Sequence, residues 1–326
     1  MCWLITGAAG YIGAHVTRAM LEAGEEVVAY DDLSTGDAAR VADVELVQGS
    51  VLDADLLGRV LRRRGVHGVV HIAAKKQVEE SVHRPLYYYE QNVEGLRRVL
   101  EALTRAEVGT FLFSSSAAVY GAPDVPTVTE DVPCAPVNPY GTTKLVGERI
   151  VTEVAAATGL RFANLRYFNV AGALEPGLAD AGTSNLVPMV FQRLARRQPP
   201  LVFGDDYDTP DGTCVRDFVH VGDVASAHVA AAQALAAGRL AALTANVGRG
   251  EGVSVREMVD VILSVTGCAG QDWARPDVRP RRAGDPARVV ASAQRIEQAL
   301  GWRARLDVKE MVSSAWAGWN PGGRRG

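Results

Sequence analysis

Lysine is scarce in this 326-residue chain. Of its 34 basic residues only Lys75, Lys76, Lys144 and Lys309 are lysines, and the net charge is −4. There is no basic field to hold nucleic acid and no polybasic patch for a membrane surface; Arg281-Arg282 is the largest basic pair near the candidate site residues. Cysteine is scarce as well. Cys2, Cys134, Cys214 and Cys268 stand far apart with no Cys-x-x-Cys or Cys/His spacing, which argues against zinc and disulfides and for free thiols in a reducing cytosol. The six histidines show no His-Glu-x-x-His or similar spacing, so no metal is expected and each reads as a core or surface histidine. No apolar run reaches the length of a membrane span. Residues 1–16 are apolar enough to suggest a signal peptide, but they lack a basic start and carry Gly7, Gly10 and Gly13 where such a segment should be continuous. The expected location is the cytoplasm. Internal repeats and low-complexity segments are also missing.

What remains is the composition of a chain that buries a core, with 48% hydrophobic and 22% charged residues. The length suits one large α/β unit with a smaller second lobe. Trp3-Leu4-Ile5-Thr6 reads as a short buried strand. Gly7, Gly10 and Gly13 follow as G-x-x-G-x-x-G, ahead of helical periodicity through Val16, Met20 and Leu21. Three glycines at that spacing are a weak signal alone. Their context strengthens it, because a second strand at 26–30 ends in Asp31, about 20 residues on, where a carboxylate can accept hydrogen bonds from a ribose diol. The glycines let the backbone approach a pyrophosphate, and the helix N-terminus supplies amide donors and positive dipole. Further strands at 44–47 and 69–72 alternate with helices near 53–64 and 85–105, the rhythm of a doubly wound parallel sheet of Rossmann type. Ala73, Ala74 and Lys76 then fall at a strand end on the cofactor edge.

Thr110-Phe111-Leu112-Phe113 is a strand running into Ser114-Ser115-Ser116. Pro139 disfavours helix at the residue before it, so a helix is expected to begin near Tyr140. Four residues separate Tyr140 from Lys144, which places phenol and ammonium on the same helix face. A phenol with a reference pKa of about 10 is a poor base near neutrality. An ammonium about 4 Å away at an effective dielectric of about 20 contributes roughly 4 kcal/mol, or about three pKa units. A serine at the strand end can bond both a sugar hydroxyl and the phenolic oxygen, completing a relay of Ser116, Tyr140 and Lys144.

With these pieces in place the sequence resembles the extended short-chain dehydrogenase/reductase family, and within it the UDP-glucose 4-epimerases. The matching segments are GAAGYIG at 7–13, YDDLSTG at 30–36, FSSSAAVYG at 113–121, PYGTTK at 139–144, LRYFNVAGA at 165–173 and DGTCVRDFVHVGD at 211–223, in the family's order. The resemblance implies an NAD-dependent C4 epimerase that interconverts UDP-glucose and UDP-galactose through a transient 4-keto sugar, with Ser116, Tyr140 and Lys144 as the catalytic trio. It implies that Gly7, Gly10, Tyr11, Ile12, Gly13, Asp31, Ser50, Val51, Ala73, Ala74 and Lys76 bind NAD, together with Tyr140 and Lys144, and that Lys76, Ser116 and Tyr140 also meet the sugar nucleotide. Related 4,6-dehydratases carry Thr-Asp-Glu where this chain has Ser114-Ser115-Ser116, so the carboxylates that eliminate water are missing. Two segments depart from the family pattern. Ser50 follows Gly49 where an aspartate usually meets the adenine amine, and Gln91-Asn92-Val93 replaces Asn-Asn-Val. A 4-epimerase of UDP-N-acetylglucosamine or UDP-glucuronate on the same scaffold is an alternative, and a non-catalytic NAD-binding module is another, though that would not need Tyr140 or Lys144.

After Asn169 the strand–helix rhythm breaks, so an NAD-binding domain is expected over 1–170 and a substrate lobe over 171–326. A loop-rich stretch at 173–182 leads to a helix near 186–197, ended by Pro199-Pro200. A long alanine-rich helix is expected over 217–235, packing back on the first domain. By resemblance Arg216 and Arg282 hold the diphosphate, since arginine's planar fork suits its oxygens. Asp285 meets the uridine ribose, and Asn169, Asn185 and the adjoining Leu186 meet the hexose and diphosphate. The position near the sugar 2-substituent, often tyrosine in glucose-only enzymes, falls on Val289, which leaves room for an N-acetyl group. The partner implied is a second copy, paired through the helices after Pro85 and Tyr140.

Overall fold

The computed structural model describes residues 1–182, 184–282 and 284–319; residues 320–326, the end of the expected substrate lobe, lie outside it. The chain begins with β1 (Cys2–Thr6), α1 (Tyr11–Glu22), β2 (Glu26–Asp31), β3 (Glu45–Gln48), α2 (Ala54–Arg63) and β4 (Gly68–His71). Short helices α3 (Val78–His83) and α4 (Pro85–Tyr88) lead through a π turn at Tyr89–Glu94 into α5 (Gly95–Arg105). Then come β5 (Thr110–Ser116), α6 (Pro139–Thr158) and β6 (Arg161–Tyr167). These six strands are parallel neighbours in the order β6-β5-β4-β1-β2-β3. β1, β2, β4 and β5 are buried on both faces and read as largely apolar runs rather than alternating ones, whereas the edge strand β3 has no buried residue. Along β1, Trp3 and Ile5 face one core with Met20 of α1, while Leu4 faces the other with Leu57 of α2, Leu96 of α5 and Phe111 of β5. Truncating a fully buried ring such as Phe111 to alanine would cost about 3–5 kcal/mol.

The remainder contains β7 (Asn169–Ala171), α7 (Leu186–Ala195), β8 (Leu201–Phe203), β9 (Val215–His220), α8 (Val221–Ala236), β10 (Ala242–Val247), β11 (Gly252–Ser254), α9 (Val255–Val265), β12 (Asp277–Arg279), β13 (Arg288–Val289), α10 (Gln294–Leu300) and α11 (Val308–Trp319). A second core gathers Phe191 of α7, Phe218 of β9, Met258 and Ile262 of α9, and Met311 and Val312 of α11. β9 is the hub of a small sheet, pairing with β7, β11 and β13.

Two features differ from the sequence expectation. Residues 217–220 are strand, not helix: Val215, Phe218 and Val219 pair with three partner strands, and the helix starts only after His220, whose ring accepts from the Gly222 amide at 2.9 Å. A boundary at residue 170 does not enclose the large sheet either, because β10 pairs in parallel with β6 and makes it seven-stranded. Its partner is 80 residues earlier, a pairing that no local pattern reveals. Helix α8 packs against α1 through Val224, Ala231 and Leu235. Among the described residues no helix is long and apolar enough to cross a membrane.

Helix α6 deserves its length of 20 residues because both ends are satisfied. Asn138 stays extended before Pro139 and its side chain accepts from the Gly141 amide at 2.9 Å, while Gly159 closes the other end in the left-handed region at φ 76°. Gly147 has no Cβ to keep it away from the sheet; one would lie 2.6 Å from the Phe113 ring. That close approach lays the first two turns of α6 against the carboxyl end of β5.

Candidate active site

A cleft of about 750 Å³ opens at the carboxyl edge of the sheet, where β1 and β4 are neighbours and the chain reverses its winding. Its wall includes Gly7, Gly10, Tyr11, Ile12 and Gly13 from the turn into α1, Asp31 from β2, and Val51, Ala73, Ala74 and Lys76. Gly7 takes a positive φ of 71°, and a Cβ on Gly13 would lie 1.9 Å from the Gly7 carbonyl. Only glycine permits that turn. Asp31 accepts from the Ala9 amide at 3.0 Å and the Leu33 amide at 2.8 Å; burial raises its pKa and these bonds oppose the rise. The cradle, the helix N-terminus behind it and the acid at the end of β2 fit a dinucleotide. Ser50 lies off this wall. Its hydroxyl accepts from the Leu52 amide at 3.2 Å and its carbonyl from the Tyr30 phenol at 2.8 Å.

Tyr140 and Lys144 line the same cleft. The Tyr140 phenol is buried near Ser116, whose Oγ accepts from the Ala118 amide at 3.2 Å. Burial pushes the phenol above its ordinary value and the Ser116 hydroxyl works against that rise. Lys144 is buried, donates to the Ser114 carbonyl at 2.7 Å, and stands 5.0 Å over the Phe113 ring. Burial lowers its pKa to about 7, with Glu148 acting in the other direction. The shared helix face does hold, but the ammonium bonds the strand end rather than the phenol. A direct lowering of the Tyr140 pKa by Lys144, as the spacing suggested, is not what this arrangement displays.

Ser114 itself belongs to a buried chain of donors. Nδ1 of His228 lies 2.9 Å from the Val224 carbonyl, which can only accept, so Nδ1 carries the proton and Nε2 accepts from Tyr167 at 2.5 Å. The Tyr167 oxygen is left to accept from Ser114 Oγ at 2.7 Å. Burial lowers the His228 pKa to about 4, which keeps the ring neutral as this chain requires.

Of the residues expected to meet the substrate, Lys76 and Tyr140 line the main cleft, whereas Ser116, Asn169, Asn185, Leu186, Arg216, Arg282, Asp285 and Val289 stand outside its wall. Several form a group of their own. Arg216 donates to Asp285 at 2.8 Å and is the register partner of Val289 in β13. Val289 is buried with Val119, Tyr120, Val128 and Phe168. Asn169 begins β7, which pairs with β9 at Phe218, and its side chain is exposed. Arg282 stacks 3.9 Å over the Phe203 ring of β8. Asn185 precedes Leu186 at the start of α7 and donates to Asp180 at 2.7 Å; Asp180 is on the cleft wall. Among the described residues no group of three His, Cys, Asp or Glu side chains is placed to hold a metal ion.

The model of the NAD dependent epimerase/dehydratase family matches residues 3–248. The chain belongs to that family. Among its relatives in this epimerase/dehydratase family, the UDP-glucose 4-epimerase of Azospirillum brasilense is 44% identical over 97% of this chain and 91% of its own length. That of Corynebacterium glutamicum is 42% identical over 96% of this chain and 94% of its own length. The crystal structure of UDP-glucose-4-epimerase from Stenotrophomonas maltophila, with bound NAD and formylated UDP-arabinopyranose, superimposes with a TM-score of 0.94 at 38% identity and covers 100% of both chains. The Brucella ovis enzyme in complex with NAD gives a TM-score of 0.92 at 37% identity, covering 96% of this chain and 97% of the other.

Several residues around this epimerase/dehydratase site were given no role in it by the sequence reading. His71 is buried between Phe111 and Phe113, bonds Thr6 at 2.8 Å, and has its pKa lowered to about 3 by burial and then by Lys144. Asn92, on the π turn, accepts from the Lys75 amide at 2.8 Å and donates to the Lys75 carbonyl at 2.9 Å, fixing the backbone beside Lys76. Ser115, Glu148 and Arg166 form a buried cluster behind the strand end. The available signal was Glu148 itself, four residues beyond Lys144 and so on the same face of α6.

Proposed function

We propose that the chain is an NAD-dependent epimerase that interconverts UDP-glucose and UDP-galactose at C4 through a transient 4-keto sugar. The observation that carries this reading is the pair Tyr140 and Lys144, one turn apart on α6, on the wall of a cleft whose other end is a glycine cradle. No carboxylate interrupts Ser114 to Ser116, so the site has no acid there to eliminate water from the sugar. When bound by the cradle, Asp31, Val51, Ala73, Ala74 and Lys76, NAD supplies reversible oxidation at C4.

Tyr140 takes the proton of the 4-hydroxyl and later returns it. Ser116 orients the phenol and carries a second hydrogen bond to the sugar oxygen. Lys144, with its proton affinity brought near neutrality by burial, changes charge within the working pH range, so activity depends on its protonation. Arg216 and Arg282 bind the diphosphate, Asp285 the ribose, and Asn169, Asn185 and Leu186 the remainder of the sugar nucleotide. Because the keto sugar must present its other face before reduction, the hexose is held more loosely than the nucleotide. Val289 offers a small side chain at the 2-position, which favours some turnover of UDP-N-acetylglucosamine.

The working protein is a homodimer in the cytoplasm. Val82 of α3 is 57% and Leu86 of α4 83% exposed, apolar side chains next to the helix that a second copy would cover. Light scattering of wild type and Leu86→Glu checks this: a dimer is expected for wild type and a shift toward monomer for the variant. Incubation with UDP-galactose, UDP-N-acetylgalactosamine and UDP-glucuronate, with the products identified, tests the activity. Conversion of UDP-galactose to UDP-glucose is expected to be the fastest, and exclusive turnover of UDP-glucuronate would overturn the substrate assignment.

A further inference from the structure

The three serines that end β5 face three different neighbours. Ser116 meets Tyr140, and Ser114 presents its carbonyl to Lys144. Ser115, between them, donates to Glu148 Oε1 at 2.5 Å. The same carboxylate accepts a two-pronged bond from Arg166, Nε to Oε1 at 2.8 Å and Nη2 to Oε2 at 2.6 Å. Arg166 also donates to the Tyr120 phenol at 2.8 Å, and Tyr120 to Asn246 Oδ1 at 2.7 Å. Ser115, Glu148 and Arg166 are all buried. Glu148 is one turn beyond Lys144 on α6, and Arg166 is the register partner of Ser115 on β6.

We propose that Glu148 is a positioning residue for the Tyr140–Lys144 pair, holding the end of β5 against α6 through Ser115 and supplying the negative charge that keeps Lys144 an ammonium. This rests on Tyr140 and Lys144 being the proton-transfer pair. A buried ion pair is weak evidence of a stability role, because well-packed apolar side chains of similar volume often hold a core as well or better. What the pair adds is direction. The planar fork of Arg166 fixes the plane of the carboxylate, so Oε1 points at Ser115. Any slip of Ser115 moves with it the Ser114 carbonyl that holds Lys144 and the Ser116 hydroxyl near Tyr140.

The electrostatic half follows from what faces Lys144. Its own helix contributes Tyr140 and Glu148, β4 contributes His71, and β6 contributes Tyr167 on the same cleft wall, with His228 of α8 behind Tyr167 and Arg166 of β6 bonded to Glu148. His71 and His228 are neutral at working pH, since burial depresses both; Tyr167 is held protonated by burial. Glu148 and Arg166 are the charges left in that set. Removing the carboxylate alone would leave the guanidinium uncompensated and make the ammonium release its proton at lower pH.

The test is Glu148→Gln, which keeps the shape and removes the charge, with the NAD-loaded protein followed by kcat against pH. The alkaline limb is expected to move down by about one unit, an approximately tenfold loss of kcat above the limb, with KM for the sugar nucleotide little changed. Glu148→Gln combined with Arg166→Gln restores neutrality, and the limb returns toward wild type. A Glu148→Gln profile that superimposes on wild type, or equal losses in both variants with no movement of the limb, overturns the proposal. Should Glu148→Gln not fold, Ser115→Ala leaves the ion pair intact and is expected to lower kcat severalfold without moving the limb; wild-type kcat in that variant overturns the positioning role. Tyr140→Phe separates the two readings, since full activity there removes the proton-transfer pair itself, whereas an unshifted Glu148→Gln profile removes only Glu148.

Discussion

The Lys144 ammonium donates to the main-chain carbonyl of Ser114 at 2.7 Å, across the joint between α6 and the end of β5. That bond ties the cation to the strand that also presents Ser116 to Tyr140. The proton-transfer groups are therefore set by how one helix lies against one strand end, and that packing is controlled by Gly147 against Phe113 on one side and by Ser115 and Glu148 on the other.

Gly13→Ala tests the cradle. The added methyl would meet the Gly7 carbonyl at 1.9 Å, so either the turn opens or α1 shifts. The expected outcome is a stability loss of about 1–3 kcal/mol, together with protein that purifies without bound NAD, read by denaturant melting and by cofactor content. Unchanged NAD content would show that the backbone does not approach the cofactor there.

Acidification should destabilise the fold. Burial lowers the pKa of His15 to about 4, His71 to about 3 and His228 to about 4. A base with a depressed folded pKa takes up its proton on unfolding, so its contribution is complete above about 6.5 and is lost as pH falls toward the folded value. For His228 alone the difference corresponds to about 3 kcal/mol. Asp217, raised to about 6 by burial, works the other way and regains stability as pH falls below that value. Three groups outweigh one, and urea midpoints measured at pH 7 and pH 5 should fall. A midpoint that holds or rises would mean that these rings are not neutral in the folded protein.

Val289→Tyr tests the sugar pocket. Val289 is only 9% exposed and packs with Val119, Tyr120 and Phe168, so a phenol ring must take space from what lies beside it. Turnover of UDP-N-acetylglucosamine should drop relative to UDP-glucose in paired kinetic assays. No turnover of the N-acetyl sugar by wild type, or a gain in the variant, would count against Val289 as the residue beside the 2-substituent.

How much of this was legible depends on how far apart the interacting residues lie in the chain. The β1 turn, the glycines and Asp31 are local signals and fell where expected, as did the start of α6 after Asn138. β9 was taken into the following alanine-rich helix because its strand character comes from pairing with β7, β11 and β13, none of them adjacent in sequence. β10 joins the large sheet for the same non-local reason. Glu148 and Arg166 were given no role, since sequence carries no direct mark of burial and their pairing spans 18 residues. Ser50 was expected at the cofactor, but its hydroxyl closes a local turn with Leu52.

The most direct test is to incubate wild type and Tyr140→Phe with UDP-galactose, without added NAD, and identify the products by NMR while assaying bound cofactor. Wild type is predicted to produce UDP-glucose, and the variant to retain NAD while turning over about 10²–10⁴ times more slowly. Equal rates in the two proteins, or a 6-deoxy-4-keto sugar from wild type, would contradict the assignment of Tyr140 as the group that moves the 4-hydroxyl proton in an epimerase.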